Sequence, residues 1–329
     1  MAKKIFITGG TGFIGRKLTL KLANEGNDVV ALIRSKSKAA SLQHEHISFV
    51  EGDLFSIEAL EKGMNGCNEV YHLAAFASVW AKGDTFEQVN INGTLNILKA
   101  AKKAGVQKIV VTSTAGVIGP AIDGPVNEAT PRQVDFFTDY ESTKYESELK
   151  IKEYVLAGQH VVIVNPTRVY GPGPLNVSNS VTKLVKQYIE GKWKFIPGDG
   201  HSTGNYVFVD DVINGHVLAM ANGRAGERYL LGGEDATYFE LFDTIAVIGG
   251  KKYKLYKMPL GVMLAFARIQ LFLADNFGRT PMITPGWVKK YNYKWKVSSA
   301  KATSELGYVP TSLNDGIQQT IDWIKEENI

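Results

Sequence analysis

The 329-residue sequence contains a single cysteine, Cys67, which rules out an internal disulfide and leads us to expect a reducing compartment. Its six histidines (His44, His46, His72, His160, His201 and His216) lack the paired spacing of a zinc site, so no metal is expected. Charge of one sign is also scarce. The 37 Lys and Arg face 33 Asp and Glu, and the formal net charge of +4 is too small and too dispersed to mark a nucleic-acid surface. No nucleic-acid partner is expected. The most apolar stretch, Met258 to Ala274, is interrupted by Pro259, Gly261, Arg268 and Gln270 and falls short of the roughly 20 residues of a spanning helix, so no transmembrane segment is expected. It is expected to pack on the core as a lobe helix, the alternative being a surface helix that touches membrane or admits a lipophilic substrate. The opening MAKKIFITGG has no apolar signal-peptide region, which points to a cytoplasmic protein.

What the sequence does contain is alternation. Short runs rich in Val and Ile recur at Lys4 to Thr8, Asp28 to Ile33, Ile47 to Val50, Glu69 to Leu73, Lys108 to Ser113 and His160 to Asn165. Each is too short for a core helix and suits a parallel strand buried on both faces. Between them lie helical patterns. Ile14, Leu18 and Leu22 precede Gly26, and Phe86, Val89, Ile97 and Ala101 precede Gly105. Strand, helix, strand, repeated, predicts an α/β fold of the Rossmann type: a doubly wound parallel sheet with a smaller mixed α/β C-terminal substrate lobe. The Gly-Pro cluster from Gly171 to Pro174 divides the chain into 1–170, the dinucleotide-binding unit, and 171–329, mainly the lobe. Segments around 205–222 are expected to return to the sheet.

The run TGGTGFIG, Thr8 to Gly15, follows the first strand and opens the first helix. Gly9 permits the tight turn, Gly12 lets backbone approach a pyrophosphate, and Gly15 lets helix pack closely on strand. The second strand ends in ALIRSKSK. Arg34 stands where an NAD-selective site places a carboxylate, and Lys38 follows, so NADP(H) is favoured with NAD(H) as the alternative. A solvated basic loop is the structural alternative. Asp53, after the third strand, is placed for an adenine amino group or for a helix cap. Tyr140 and Lys144 are four apart and share a helix face. An ammonium beside a phenol is expected to lower the tyrosine pKa toward working pH and make it a proton donor and acceptor. Thr114, in VVTSTAG, lies at the carboxyl edge of the sheet.

TGGTGFIG, HLAA (His72 to Ala75), NINGT (Asn90 to Thr94), TSTAG, the Tyr140 and Lys144 pair, NPTRVYGPG from Asn165 and FVDDV from Phe208 together resemble an extended short-chain dehydrogenase/reductase of the NAD-dependent epimerase/dehydratase family. Within it the pattern is most similar to dihydroflavonol-4-reductase-like and hopanoid-associated sugar epimerase-like proteins. The resemblance implies that Tyr140 protonates a carbonyl oxygen as hydride arrives, that Lys144 also binds the nicotinamide ribose, and that Thr114 bonds the same oxygen. It further implies a cofactor cleft formed by Thr8, Phe13, Ile14, Leu54, Leu73, Ala74, Ala75 and Thr112, with Pro166 and Val169 at the nicotinamide and Asn90 nearby.

The departures guide the choice of reaction. Thr114 replaces the usual serine, and Asn205 occupies a region where nucleotide-sugar enzymes of the family commonly carry a diphosphate-clamping arginine. Asn179, Arg224, Arg228 and Arg279 are the residues available to substitute for it. The expectation is an NADP(H)-dependent oxidoreductase that reduces a ketone or aldehyde, a small-molecule carbonyl substrate. The alternatives are a nucleotide-sugar epimerase or dehydratase with retained cofactor, and a non-catalytic sensor or assembly factor. Family members often dimerise through the helix carrying Tyr140, and Ile151, Tyr154 and Val155 offer apolar surface for a homodimer.

Overall fold

The computed structural model describes residues 2–327. Its strands are β1 (Lys4–Thr8), β2 (Asp28–Ile33), β3 (Ile47–Glu51), β4 (Glu69–His72), β5 (Lys108–Thr112), β6 (Val161–Pro166), β7 (Arg168–Tyr170), β8 (Phe195–Pro197), β9 (Thr203–Phe208), β10 (Arg228–Leu231), β11 (Glu234–Thr237) and β12 (Tyr256–Met258). Its helices are α1 (Phe13–Asn24), α2 (Ile57–Met64), α3 (Thr85–Glu87), α4 (Gly93–Lys103), α5 (Asp139–Leu156), α6 (Ser180–Ile189), α7 (Val209–Asn222), α8 (Tyr238–Gly249), α9 (Leu260–Phe277), α10 (Pro285–Lys289), α11 (Ala300–Leu306) and α12 (Leu313–Glu326).

Seven parallel strands form the main sheet in the order β10-β6-β5-β4-β1-β2-β3. Buried apolar residues explain why these runs are strands: Ile5, Phe6, Ile7, Val70, Val110, Val162 and Val164 are each at most 1% exposed, with helices on both sides. On one face α1, α7 and α11 pack through Leu18, Leu22, Val212, Ala219 and Leu306; on the other, α2, α4 and α5 pack through Leu60, Ile97, Ala101 and Ile151. The strand order reverses between β1 and β4, the crevice where open α/β sheets bind ligands. The chain returns to this unit late. α7 covers β5 and β6, and β10 closes the sheet edge beside β6. The lobe holds the β11-β9-β7 sheet, the β12-β8 pair and a separate aromatic-rich core.

Two expectations need correction. The pattern through Phe86, Val89, Ile97 and Ala101 is not one regular helix, because α3 runs into a π-helical turn, Gln88–Asn92, before α4. Wide turns of this kind are frequent at functional sites, and this one seats Asn90. The apolar stretch from Met258 is also not packed into the core. α9 buries only Ala267 and Ala274, and Val262, Phe266, Ile269, Phe272 and Phe277 are 46–68% exposed. Among the described residues it is the one helix long and apolar enough to cross a membrane by length and composition.

Candidate active site

The β1–α1 turn forms a cradle. Gly9 adopts φ +72°, and a Cβ there would lie 2.6 Å from the Ala74 nitrogen; a Cβ on Gly15 would lie 2.1 Å from the Gly9 oxygen. Only glycine lets the turn sit this close to helix and neighbouring loop. Gly12 starts α1 with no side-chain cap and no acidic residue in the first turn, so its first amides are open to an anion. Phe13 and Ile14 turn their side chains into the core, Phe13 against Gly173, and line the cradle with backbone alone.

Thr8 anchors the cradle to β4 through a directional relay. The Thr94 hydroxyl donates to the Asn90 carbonyl at 2.8 Å, so it accepts from His72 Nε2 at 3.0 Å; Nδ1 then accepts from the Thr8 hydroxyl at 2.7 Å, which accepts from the Ala74 N–H at 3.3 Å. His72 is thereby neutral, and burial holds its pKa down at about 3. Leu73 donates its N–H to the Thr8 carbonyl, and Ala75 continues the loop along the crevice. On the adenine side, Asp53 accepts from the Phe55 N–H and the Ser56 hydroxyl, which hold its carboxyl below the usual range. Leu54 packs beneath it against Gly93. Arg34 and Lys38 are exposed at the end of β2 and have no ion-pair partner among the described residues.

Tyr140 and Lys144 lie in the first turns of α5, and Thr114 lies just beyond the end of β5. Thr138 caps the helix by accepting from the Glu141 N–H. The Thr114 hydroxyl accepts from the Gly116 N–H at 3.2 Å, and both Thr114 Oγ1 and Glu141 Oε1 lie beside Gly116. Asn165 donates to the Thr114 carbonyl at 3.1 Å and to Glu148 at 2.7 Å, tying β5, β6 and α5 together. Lys144 is 1% exposed, and its ammonium has no hydrogen-bond partner among the described residues. Burial pulls its pKa down to about 8 against the opposing pull of Glu148. Tyr140 departs from the sequence expectation: burial, then the Glu141 carboxylate, pushes its pKa up to about 12. Desolvation of the phenolate outweighs any help from Lys144, and the phenol is held as an acid.

Asn90 is a positioning residue. It accepts from the Phe76 N–H at 2.8 Å and donates to the Thr143 hydroxyl at 3.1 Å, clamping the loop after β4 to α5 between Tyr140 and Lys144. The Thr112 side chain turns away from the crevice and pairs with His216 at 2.7 Å. Pro166 ends β6, and Val169 lies on β7, where the sheet meets the lobe.

Sequence patterning missed the charges that hold the site. Glu141 is 1% exposed and pairs with Arg132 at 3.2 Å and Lys290 at 2.5 Å, joining α5 to the turn that follows α10. Arg168 donates to Tyr206 and Tyr238 at 3.3 and 3.4 Å and has no carboxylate partner among the described residues. Ile151 is buried in the core, while Tyr154 and Val155 pack against it and are only partly buried. Asn205 is committed on all sides, to Thr167, Gly233 and Asp235. Arg224 pairs with Glu305, Arg228 pairs with Glu148, and Asn179 bonds the Gly171 and Gly173 carbonyls. Beside the lobe, a cleft of about 600 Å³ is lined by His201, Lys257, Leu260, Tyr291, Tyr293 and Lys294, among others. No metal-holding cluster of His, Cys, Asp and Glu occurs among the described residues.

The glycine cradle and the unpartnered Lys144 fit a dinucleotide with its nicotinamide end at Tyr140. Comparison with known proteins gives the family. Residues 5–232 match the NAD dependent epimerase/dehydratase family. The chain is 31% identical over 332 residues, 99% of its length and 95% of the relative's, to a putative dihydroflavonol 4-reductase of Synechocystis. It is 31% identical to sterol demethylase protein B of Methylococcus capsulatus, with 98% of each chain covered. Among solved structures, the UDP-glucose 4-epimerase of Thermotoga maritima with UDP-glucose superposes with a TM-score of 0.82 at 25% identity, covering 99% of this chain and all of that one.

Proposed function

The chain belongs to the NAD-dependent epimerase/dehydratase family, an enzyme family of the extended short-chain dehydrogenase/reductase type, and within it we propose an NADP(H)-dependent reductase of a ketone or aldehyde with an apolar body. The observation that carries the proposal is the Lys144 ammonium, buried and unpartnered one helical turn from Tyr140, with the Thr114 hydroxyl at the adjoining strand end. When bound, the nicotinamide supplies the hydride for the carbonyl carbon. Thr114 and Tyr140 hold the carbonyl oxygen, and Tyr140 gives it a proton as charge develops there. Lys144 donates to the ribose hydroxyls and fixes the distance between donor and acceptor. Arg34 and Lys38 supply charge for a 2′-phosphate, and no carboxylate stands at the end of β2 to repel one.

The alternative is nucleotide-sugar epimerisation or dehydration with a retained cofactor, and the likeness to the UDP-glucose epimerase supports it. The commitment of Asn205, Arg224 and Arg228 to partners within the fold weighs against it, although Arg279 is exposed and has no ion-pair partner among the described residues. Fluorescence titration of cofactor-stripped protein with NADPH and NADH, then with UDP and dTDP at saturating cofactor, separates the two. Exchangeable, NADPH-selective binding with no nucleotide effect is expected; tight NAD(H) retention with UDP or dTDP binding outside the cofactor site overturns the reductase assignment.

A further inference from the structure

α9 presents apolar side chains on both of its sides. Ala267 and Ala274 face the lobe, while Val262, Phe266, Ile269 and Phe277 recur at helical spacing along the outer side with Phe272 at its edge. The exposed apolar surface continues beyond the helix. Phe195 and Tyr256, paired in the β8-β12 sheet, are 48% and 53% exposed, and Met282 is 80% exposed. So many large apolar side chains exposed on one helix and its flanking segments mark an interaction surface.

The charge around it selects the partner. Net charge over the whole chain is small, but it is not dispersed as the overall count suggested. Residues 244–304 hold eleven Lys and Arg and one carboxylate, Asp275, so the remainder of the chain is net acidic. Lys251, Lys254 and Lys257 precede α9, Arg268 flanks its outer stripe and Arg279 follows its end, and all five are exposed with no ion-pair partner among the described residues, whereas Lys252 pairs with Asp243. Asp275 is occupied, accepting from the Trp80 indole at 3.1 Å. Aromatic and aliphatic side chains ringed by cations match an anionic bilayer surface, where the apolar groups enter the acyl boundary and the cations meet phosphate. A nucleic acid would leave the apolar stripe in water, and a second copy of this chain would bring the basic rings together.

We propose that α9, with the Phe195 and Tyr256 pair, seats the protein on an anionic membrane as an interfacial helix. The helix lies along the surface and does not cross it, because Ala267 and Ala274 hold its inner side to the lobe and Asp275 is bonded to Trp80. Trp80 belongs to the loop that follows β4 and Ala75, so the membrane-facing helix is joined to the crevice carrying the active site. The proposal stands whether the enzyme is a reductase or an epimerase.

The test is flotation of the purified full-length protein with phosphatidylcholine vesicles, with and without phosphatidylglycerol. The protein is expected to float with anionic vesicles and to stay behind with neutral ones. F266S/I269S/F272S and, separately, K251E/K254E are expected to reduce partitioning about tenfold or more. All of these side chains are exposed, and unchanged NADPH affinity and melting temperature report an intact fold. Failure to float with any vesicle overturns the proposal. So does binding that K251E/K254E abolishes and the apolar triple variant leaves intact, since that is the behaviour of a polycation. A concentration-dependent dimer that F266S/I269S/F272S converts to monomer, without vesicle binding, assigns the stripe to self-association and likewise overturns it.

Discussion

Tyr140 and Lys144 divide the acid chemistry in a way their spacing did not reveal. With its pKa near 12, Tyr140 stays protonated across the working range, and the group that titrates near neutrality is Lys144, at about 8. The charged lysine is the competent form, and burial lowers its pKa from the ordinary 10.5. Reductase kcat/KM is therefore expected to be level below that value and to fall as pH rises through about 8. Lys144→Met is expected to lose the limb along with most of the activity. A limb that persists in the variant assigns the titration to another group. Tyr140→Phe is expected to cut turnover by about a hundredfold to ten-thousandfold while NADPH affinity holds, as for the loss of a general acid. Arg34→Asp is expected to weaken NADPH roughly tenfold or more and to leave NADH nearly unchanged, by loss of a charge-assisted contact. Equal weakening of both cofactors in titrations would mean that the basic loop does not read the 2′-phosphate. The glycine turn and the i, i+4 pair could be read from the sequence because both are local signals. The protonation of the pair could not, because it depends on burial, and a carboxylate such as Glu141 is recognised as buried only once Arg132 and Lys290 arrive from distant parts of the chain.

At the scale of elements, β1 to β6 were legible to within a residue or two, since all but the partly exposed edge strand β3 are buried on both faces and read as apolar runs, whereas β7 to β12 were not read from the sequence. α5 was not legible by periodicity. Its buried side is Glu141, Lys144, Ser147, Glu148 and Ile151, four polar residues and one apolar, so the hydrophobic signal is nearly silent along the helix that carries the chemistry. Its position is set by polar clamps, and Asn90 on the π-helical turn is the clamp that reaches between Tyr140 and Lys144. Asn90→Ala leaves the Phe76 N–H without its acceptor, at a cost of about 1–3 kcal/mol. Urea denaturation is expected to show that loss, and kinetics a fall in kcat larger than the change in cofactor affinity. Thr143→Val, which leaves Asn90 accepting from the Phe76 N–H and removes only the α5 end of the clamp, is expected to recover most of the stability and less of the kcat. Equal recovery of both would reduce the clamp to a purely structural part. α9 was misjudged for a related reason: composition reports how apolar a helix is, and only the lobe around it shows how little of that surface is covered.

For the whole molecule, the two buried histidines make the fold sensitive to acid from the middle of both sheet faces. His72 joins β1, β4 and α4 through Thr8 and Thr94; His216 on α7 donates from Nδ1 to the Val212 carbonyl and accepts from the Thr112 hydroxyl at Nε2, pinning α7 to β5. Each ring uses one nitrogen as an acceptor, so protonation breaks a bond as well as burying a charge. Burial accordingly lowers their pKa values to about 3 and about 4, from an ordinary 6.5 in the unfolded chain. Below about pH 6.5 the unfolded state takes up two protons that the folded state refuses, so this contribution to stability is complete above that pH and is lost as pH falls toward 4. The slope is about 1.4 kcal/mol per pH unit for each histidine. His216→Gln, which offers one amide donor and one carbonyl acceptor, is expected to lower stability at pH 7 and to remove about half of the histidine slope between pH 6 and pH 4.5. Urea midpoints measured across that interval decide the matter. If wild type and variant lose stability in parallel, the acid sensitivity lies outside His216 and its bond to Thr112 is only a packing device.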